Sequence, residues 1–137
     1  MNVEFIFSEF GLRTTANQPG GFTDEFRLDP TYSSVKQFFP DAKLTLYTDR
    51  PELATNYSDV GVKLVDIDNS PFTKSNHRWG WHCCDYYEAK GLLNSDADIA
   101  ISVDSDLMFV SDEVKTLLPI TDKFGLCVPT NERQMVK

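Results

Sequence analysis

The sequence has few cysteines, few basic residues and no long apolar run, and each shortage excludes a class of protein. Three cysteines, of which Cys83 and Cys84 are adjacent, do not form a disulfide framework and favour a reducing compartment. Lysine and arginine total 13 against 21 acids, for a net charge of −8, so the basic surface of a nucleic-acid-binding protein is missing. No apolar run approaches the ~20 residues of a membrane span.

The N-terminal residues do not form a signal peptide either. They carry Glu4 and Glu9 where a basic region and an apolar core would be required. We therefore expect a cytoplasmic protein with no membrane span. A length of 137 residues fits a single domain, residues 1–137, with a substantial core.

Apolar β-rich runs that alternate with amphipathic stretches predict an α/β fold. The order is β-α-β-α-β-α-β-α-β, which indicates a Rossmann-like, mostly parallel sheet with helices on both faces. Pro40 and Pro119 are expected to end helices. The predicted strands are 3–7, 42–47, 62–67, 99–103 and 124–128, and the predicted helices are 29–39, 51–54, 76–94 and 112–118.

The most informative stretch is Ile99 to Val103 followed by Asp104, Ser105 and Asp106. The apolar, β-branched run predicts a strand that is buried on both faces. In extended backbone the side chains of Asp104 and Asp106 point the same way, and Ser105 points the other way. Two carboxylates so placed repel each other unless a cation or a proton lies between them. The pair therefore predicts a Mn²⁺ or Mg²⁺ site.

Other acids also follow predicted strands. Ligands bind at the carboxyl ends of the strands in open α/β sheets, so Glu9, Asp49, Asp66 and Asp68 would share one acidic cleft with the pair. Each of the last three, taken alone, is more simply explained as a turn residue.

The segment ADIAISVDSDLMFVSDEV, residues 97–114, resembles the Asp-x-Asp segment of GT-A-fold glycosyltransferases, which use nucleotide-sugar donors. The segment YYEAKGLL, residues 86–93, looks like the aromatic, basic helix that precedes this motif in many members. The resemblance covers residues 2–130. It implies a metal-dependent transferase that moves a sugar from a nucleoside diphosphate, a UDP-sugar first among the candidates, to a hydroxyl of a glycan, protein or lipid acceptor. Complete GT-A enzymes are usually longer, so the chain would correspond to their donor-binding half.

The resemblance also implies roles for single residues. Asp106 would chelate the metal, and Asp104 would contact the donor ribose, or the metal through water. Asp49 matches a position that holds the nucleobase or ribose. Ser8 and Phe10 match the place where the base is packed and hydrogen-bonded.

Basic residues are implied near the diphosphate. Lys90, with Arg78 as a second choice, matches a basic residue close to the diphosphate or to the first acid of the motif. Arg13, in a Gly-rich loop, is a further candidate. No residue is assigned as a general base.

Two other functions remain open. Haloacid-dehalogenase-like phosphatases also place Asp-x-Asp after a strand, but normally after the first one and with Thr or Val where this chain has Met108. A nucleotide- or metal-binding module without turnover would keep the same fold and the same acids.

Overall fold

A computed structural model describes residues 1–10, 28–67, 79–105 and 107–125. Within these residues four parallel strands form one sheet in the order β3-β2-β1-β4, flanked by helices. The predicted α/β, Rossmann-like fold with a parallel sheet is therefore confirmed. The strands are β1 (Val3–Glu9), β2 (Lys43–Thr48), β3 (Val60–Leu64) and β4 (Ile99–Ser102), and the helices are α1 (Asp29–Phe38), α2 (Trp79–Asn94) and α3 (Leu118–Phe124), with 3₁₀ turns at Pro51–Ala54 and Glu113–Leu117.

Strand β1 is apolar in consecutive positions because both faces of the sheet are covered. Phe5 and Phe7 are fully buried on the face that packs against Val35 of α1. Ile6 points to the opposite face and packs against α2, where Cys83 is fully buried. The core therefore has two layers with the sheet between them.

The strand order creates a topological switch between β1 and β4. The chain runs from β1 to β2 to β3 in one direction and then returns through α2 to place β4 on the other side of β1. The pairing registers Ile6 with Ser102, and the Val103 N–H donates to the Ile6 carbonyl at 3.0 Å. The last residues of β1 thus lie beside those that follow β4.

The C-terminal helices differ from the prediction. Pro119 lies in the first turn of α3 and does not end a helix, because a proline is well tolerated where the backbone N–H has no helical partner. Phe124, predicted to open a strand, is the last residue of α3. Gly125 adopts a φ of 80° and its N–H donates to the Thr121 carbonyl, which ends the helix. Residues 126–128 lie outside the described residues.

Two other element boundaries differ from the prediction. Val65 and Ile67 are buried like strand residues, but they pack on the α2 layer after β3 has ended at Leu64. Helix α1 begins at Asp29 as predicted and ends at Phe38, one residue before the predicted end. The Asp29 carboxylate accepts a hydrogen bond from the Tyr57 hydroxyl.

Helix α2 packs unusually close to the sheet at Gly91. A Cβ atom at this position would lie 2.7 Å from Ile6 Cγ2 and 2.9 Å from Tyr47 Cε2. Both of those side chains are buried, so neither can move away freely. The absence of a side chain at Gly91 therefore sets the distance between α2 and strands β1 and β2.

We expect Gly91→Ala to destabilise the fold despite the better helix propensity of alanine. Overpacking costs about 1–3 kcal/mol, against a propensity gain of about 1 kcal/mol. Urea unfolding measures the difference. Ala89→Gly, at an exposed position of α2, calibrates the propensity contribution. A stabilised Gly91→Ala variant would contradict the close contact.

Glu4, at the amino end of β1, is a buried carboxylate with three donors. Its side chain is 3% exposed and accepts hydrogen bonds from Thr45 Oγ1 at 2.5 Å and from the Ser95 hydroxyl. Lys43 Nζ lies 3.3 Å from Glu4 Oε1. Burial raises the pKa of Glu4, but the hydrogen bonds from Ser95, Thr45 and Lys43 outweigh it, so the pKa falls below its ordinary value of 4.5.

A lowered carboxylate pKa stabilises the fold above the unfolded value of 4.5, and this stability is lost as the pH falls through the folded pKa. We expect Glu4→Gln to be less stable than the wild type at neutral pH and to lose less stability on acidification. Urea unfolding between about pH 7 and about pH 3 measures both effects. Thr45→Val, which removes one donor, should give an intermediate profile. If the stability of Glu4→Gln depended on pH as that of the wild type does, the Glu4 carboxylate would not be the source of the stability lost on acidification.

Candidate functional site

The candidate site lies at the carboxyl edge of the sheet, between β1 and β4. In open α/β sheets this switch point opens a crevice in which ligands bind. Ser8 and Glu9 are the last residues of β1, and Asp104 and Ser105 follow β4. The sheet thus brings Ser8 and Asp104, which the sequence assigned to one site, to the same crevice.

Glu88 of α2 joins the two strands on one face of the sheet. Ser8 Oγ donates to Glu88 Oε1 at 2.5 Å, and Ser102 Oγ donates to Glu88 Oε2 at 2.6 Å. Burial raises the pKa of Glu88, the two hydroxyl donors oppose this, and the charges of Asp104 and Asp85 add to the increase. The carboxylate is therefore held in a site that disfavours further negative charge.

A second carboxylate fastens the loop after β4 on the opposite face. Ser105 is 2% exposed, and its hydroxyl donates to Glu9 Oε2 at 2.6 Å. The Ser105 carbonyl accepts a hydrogen bond from Thr31 Oγ1 of α1 at 2.7 Å. Asp104, one residue earlier, is exposed, so the two neighbouring side chains differ in burial as the strand alternation predicts.

Of the other sequence-predicted site residues, some are described by the structure and the rest lie outside the described residues. Phe10 is buried and packs on Tyr87 of α2, with ring centroids 5.5 Å apart, and Lys90 Nζ lies 5.6 Å from the centroid of the same ring. Asp49 is half-buried just after β2, where its charge acts on Cys83. Arg13, Arg78 and Asp106 lie outside the described residues, as does Asp68.

Three residues of this edge were missed by the sequence reasoning, namely Glu88, Ser102 and Ser105. The Glu88 carboxylate accepts hydrogen bonds from two serines. The available signals were a serine in a β-branched strand and an acid in an aromatic helix segment. Neither signal names a partner, because the contacts depend on how α2 lies across the sheet.

A cavity of about 820 Å³ runs along β4, on the edge of the sheet, and no residue of β1 lines it. Its lining includes the apolar side chains of Leu107 and Leu118 and four acids, namely Glu88, Asp98, Asp104 and Asp122. The volume lies within the range of small-molecule sites. Among the described residues that line it there is no lysine or arginine, so a phosphate-bearing ligand would require a cation there.

The metal prediction rests on Asp104 and Asp106, of which the structure describes the first. The described residues hold no group of three or more histidine, cysteine or acidic side chains that could bind a metal ion. An exposed carboxylate beside a crevice with no basic lining suits an oxygen-preferring cation such as Mg²⁺ or Mn²⁺.

Comparison with known proteins assigns no family to the chain. No protein-family model matches the sequence, and no curated protein matches it. In the part of the chain that the structure describes, no helix combines the length and the apolar character needed to cross a membrane.

We expect Ser105→Ala to destabilise the protein, because it removes a buried donor to a buried carboxylate. Such a loss costs about 1–3 kcal/mol. Urea unfolding measures the change, with Ser111→Ala as the control, since Ser111 Oγ accepts a long 3.4 Å bond from the Glu113 N–H in an exposed turn. Equal effects of the two substitutions would contradict a special role for the Ser105–Glu9 contact.

Proposed function

We propose that this chain is the donor-binding domain of a metal-dependent glycosyltransferase that binds a nucleoside-diphosphate sugar. The observation that carries the proposal is the position of Asp104 at the carboxyl end of β4. It follows this strand and lines the cavity of about 820 Å³ that runs along it. Open α/β sheets bind ligands at the carboxyl ends of their strands, and a cavity of this volume can hold a small molecule.

The acidic character of the crevice supports a cation between protein and ligand. Glu88, Asp98, Asp104 and Asp122 line the cavity, and the described lining contains no basic side chain. A nucleoside diphosphate carries negative charge, which these carboxylates repel at short range. Asp104 and Asp106 would hold a Mn²⁺ or Mg²⁺ ion, which offsets the charge that develops on a diphosphate leaving group.

The protein's own residues would bind and orient the donor. Asp104 lies on the exposed side of the loop after β4, while Ser105 fixes this loop through Glu9 and Thr31. Phe10 and Tyr87 pack on each other in the core on the α2 face, and the Lys90 ammonium lies over the Tyr87 ring. We assign the diphosphate to the Asp104 side of the cavity. The acceptor hydroxyl would attack the sugar carbon as its bond to the diphosphate breaks.

The proposal predicts metal-dependent binding of a sugar nucleotide. Calorimetric titration with UDP-, GDP- and dTDP-sugars, with and without Mn²⁺, should detect binding of a UDP-sugar when the metal is present. Asp104→Asn should weaken this binding by at least about tenfold, since it removes a carboxylate from the cation site. Asp106→Asn should do the same.

Asp41→Asn is the control, because Asp41 is exposed and does not line the cavity. The affinity of this variant should equal that of the wild type. Release of the nucleoside diphosphate in the presence of an acceptor would distinguish a transferase from a binding module. Hydrolysis of an aryl phosphate that is lost in Asp104→Asn, or no metal-dependent binding of any of the sugar nucleotides, would overturn the proposal.

A further inference from the structure

Glu88 and Glu4 are similar carboxylates at opposite ends of the same sheet face. Each accepts hydrogen bonds from two hydroxyl groups and is held against β1. Glu4 binds Thr45 Oγ1 and the Ser95 hydroxyl at the amino end of the strand. Glu88 binds Ser8 and Ser102 at the carboxyl end. A comparison of the two carboxylates therefore separates what any buried carboxylate does for stability from what depends on its place at the carboxyl end of the sheet.

The two carboxylates differ in their charged neighbours. Lys43 Nζ lies 3.3 Å from Glu4 and supplies a positive charge. In the described part of the chain Glu88 has no basic partner, and the charges that act on it come from Asp104 and Asp85. A poorly solvated carboxylate is costly without a compensating positive charge. The environment of Glu88 is thus one that a bound cation would improve.

The position of Glu88 is fixed by the packing of α2. Gly91 follows it by three residues, which places both on the helix face that lies on the sheet. The close approach at Gly91, 2.7 Å between a built Cβ and Ile6 Cγ2, leaves little freedom for the helix to shift. Glu88 can therefore hold the ends of β1 and β4 at a fixed spacing. Its contact on β4 is Ser102, which precedes Asp104 by two residues.

We propose that Glu88 is a positioning residue of the donor site, which sets the place of Asp104 through Ser102 and whose negative charge would favour a cation bound by Asp104. This inference rests on the proposed function. Carboxylates behind the metal ligands commonly orient them and raise metal affinity, and their loss lowers it by about 10- to 100-fold. Both oxygens of Glu88 accept hydrogen bonds from serines, so we assign Glu88 to positioning and not to direct contact with the cation.

The test compares Glu88→Gln with Glu4→Gln in the intact chain. Binding of Mn²⁺ alone is followed by electron paramagnetic resonance, and binding of UDP-sugar with Mn²⁺ by calorimetry. Glu88→Gln should weaken both affinities by about tenfold or more. Glu4→Gln should lose stability while both affinities stay within about twofold of the wild type.

Serine variants keep the test decisive if Glu88→Gln does not fold. Ser102→Ala removes one hydrogen bond to Glu88 and should weaken Mn²⁺ binding several-fold, while Ser102→Thr keeps the hydroxyl and should restore it. Unfolding midpoints verify that each variant is native. Wild-type affinity in Glu88→Gln or in Ser102→Ala would overturn this inference alone. A wild-type chain that binds neither Mn²⁺ nor a sugar nucleotide would overturn the proposed function.

Discussion

The structure depends on the burial of β1 between two other strands and beneath helices on both faces. Phe5, Ile6 and Phe7 leave this strand no solvent-exposed side in its middle, so its polar side chains must find partners within the protein. Glu4 and Glu9 accept hydrogen bonds from serine and threonine hydroxyl groups, and the Ser8 hydroxyl donates to the Glu88 carboxylate. Each of these hydrogen bonds reaches a different element, and the ends of β1 thereby fix the elements around them.

These contacts determine the geometry of the carboxyl edge. Glu9 holds the loop after β4 from the α1 face through Ser105, and Glu88 holds the end of β4 from the α2 face through Ser102. Asp104 lies between the two serines in sequence and remains exposed. A loop fastened on both faces has little conformational entropy to lose when a ligand binds, which favours affinity.

Much of the fold could be predicted from the sequence because its elements are locally encoded. The apolar β-rich runs that alternate with amphipathic stretches predicted the α/β class and the parallel sheet, which the structure confirms. Errors arose where one residue type has two uses. Pro119 can end a helix or begin one, and Val65 and Ile67 suit a strand as well as a loop that covers the core. Only the tertiary packing decides between such uses.

The candidate site could be predicted in part, and the reason lies in the order of the strands. The sequence identifies Ser8 and Asp104 as strand-end residues, and any parallel sheet places such residues at one edge. The local sequence pattern does not reveal that β4 pairs with β1. This pairing is what places the switch point between these two strands. The role of Glu88 is still less visible, since it requires the close approach of α2 at Gly91.

The distribution of charge along β1 relates stability to function. At the amino end Lys43 lies beside Glu4, and the carboxylate is stabilised in its ionised form. At the carboxyl end the pKa of Glu88 is raised, first by burial and then by the charges of Asp104 and Asp85. If both ends served stability alone, a positive side chain at each end would be the better solution, because it offsets the cost of burial. An acidic end of this kind is more useful to a protein that binds a cation there, since the electrostatic strain within the free protein becomes affinity for the ion.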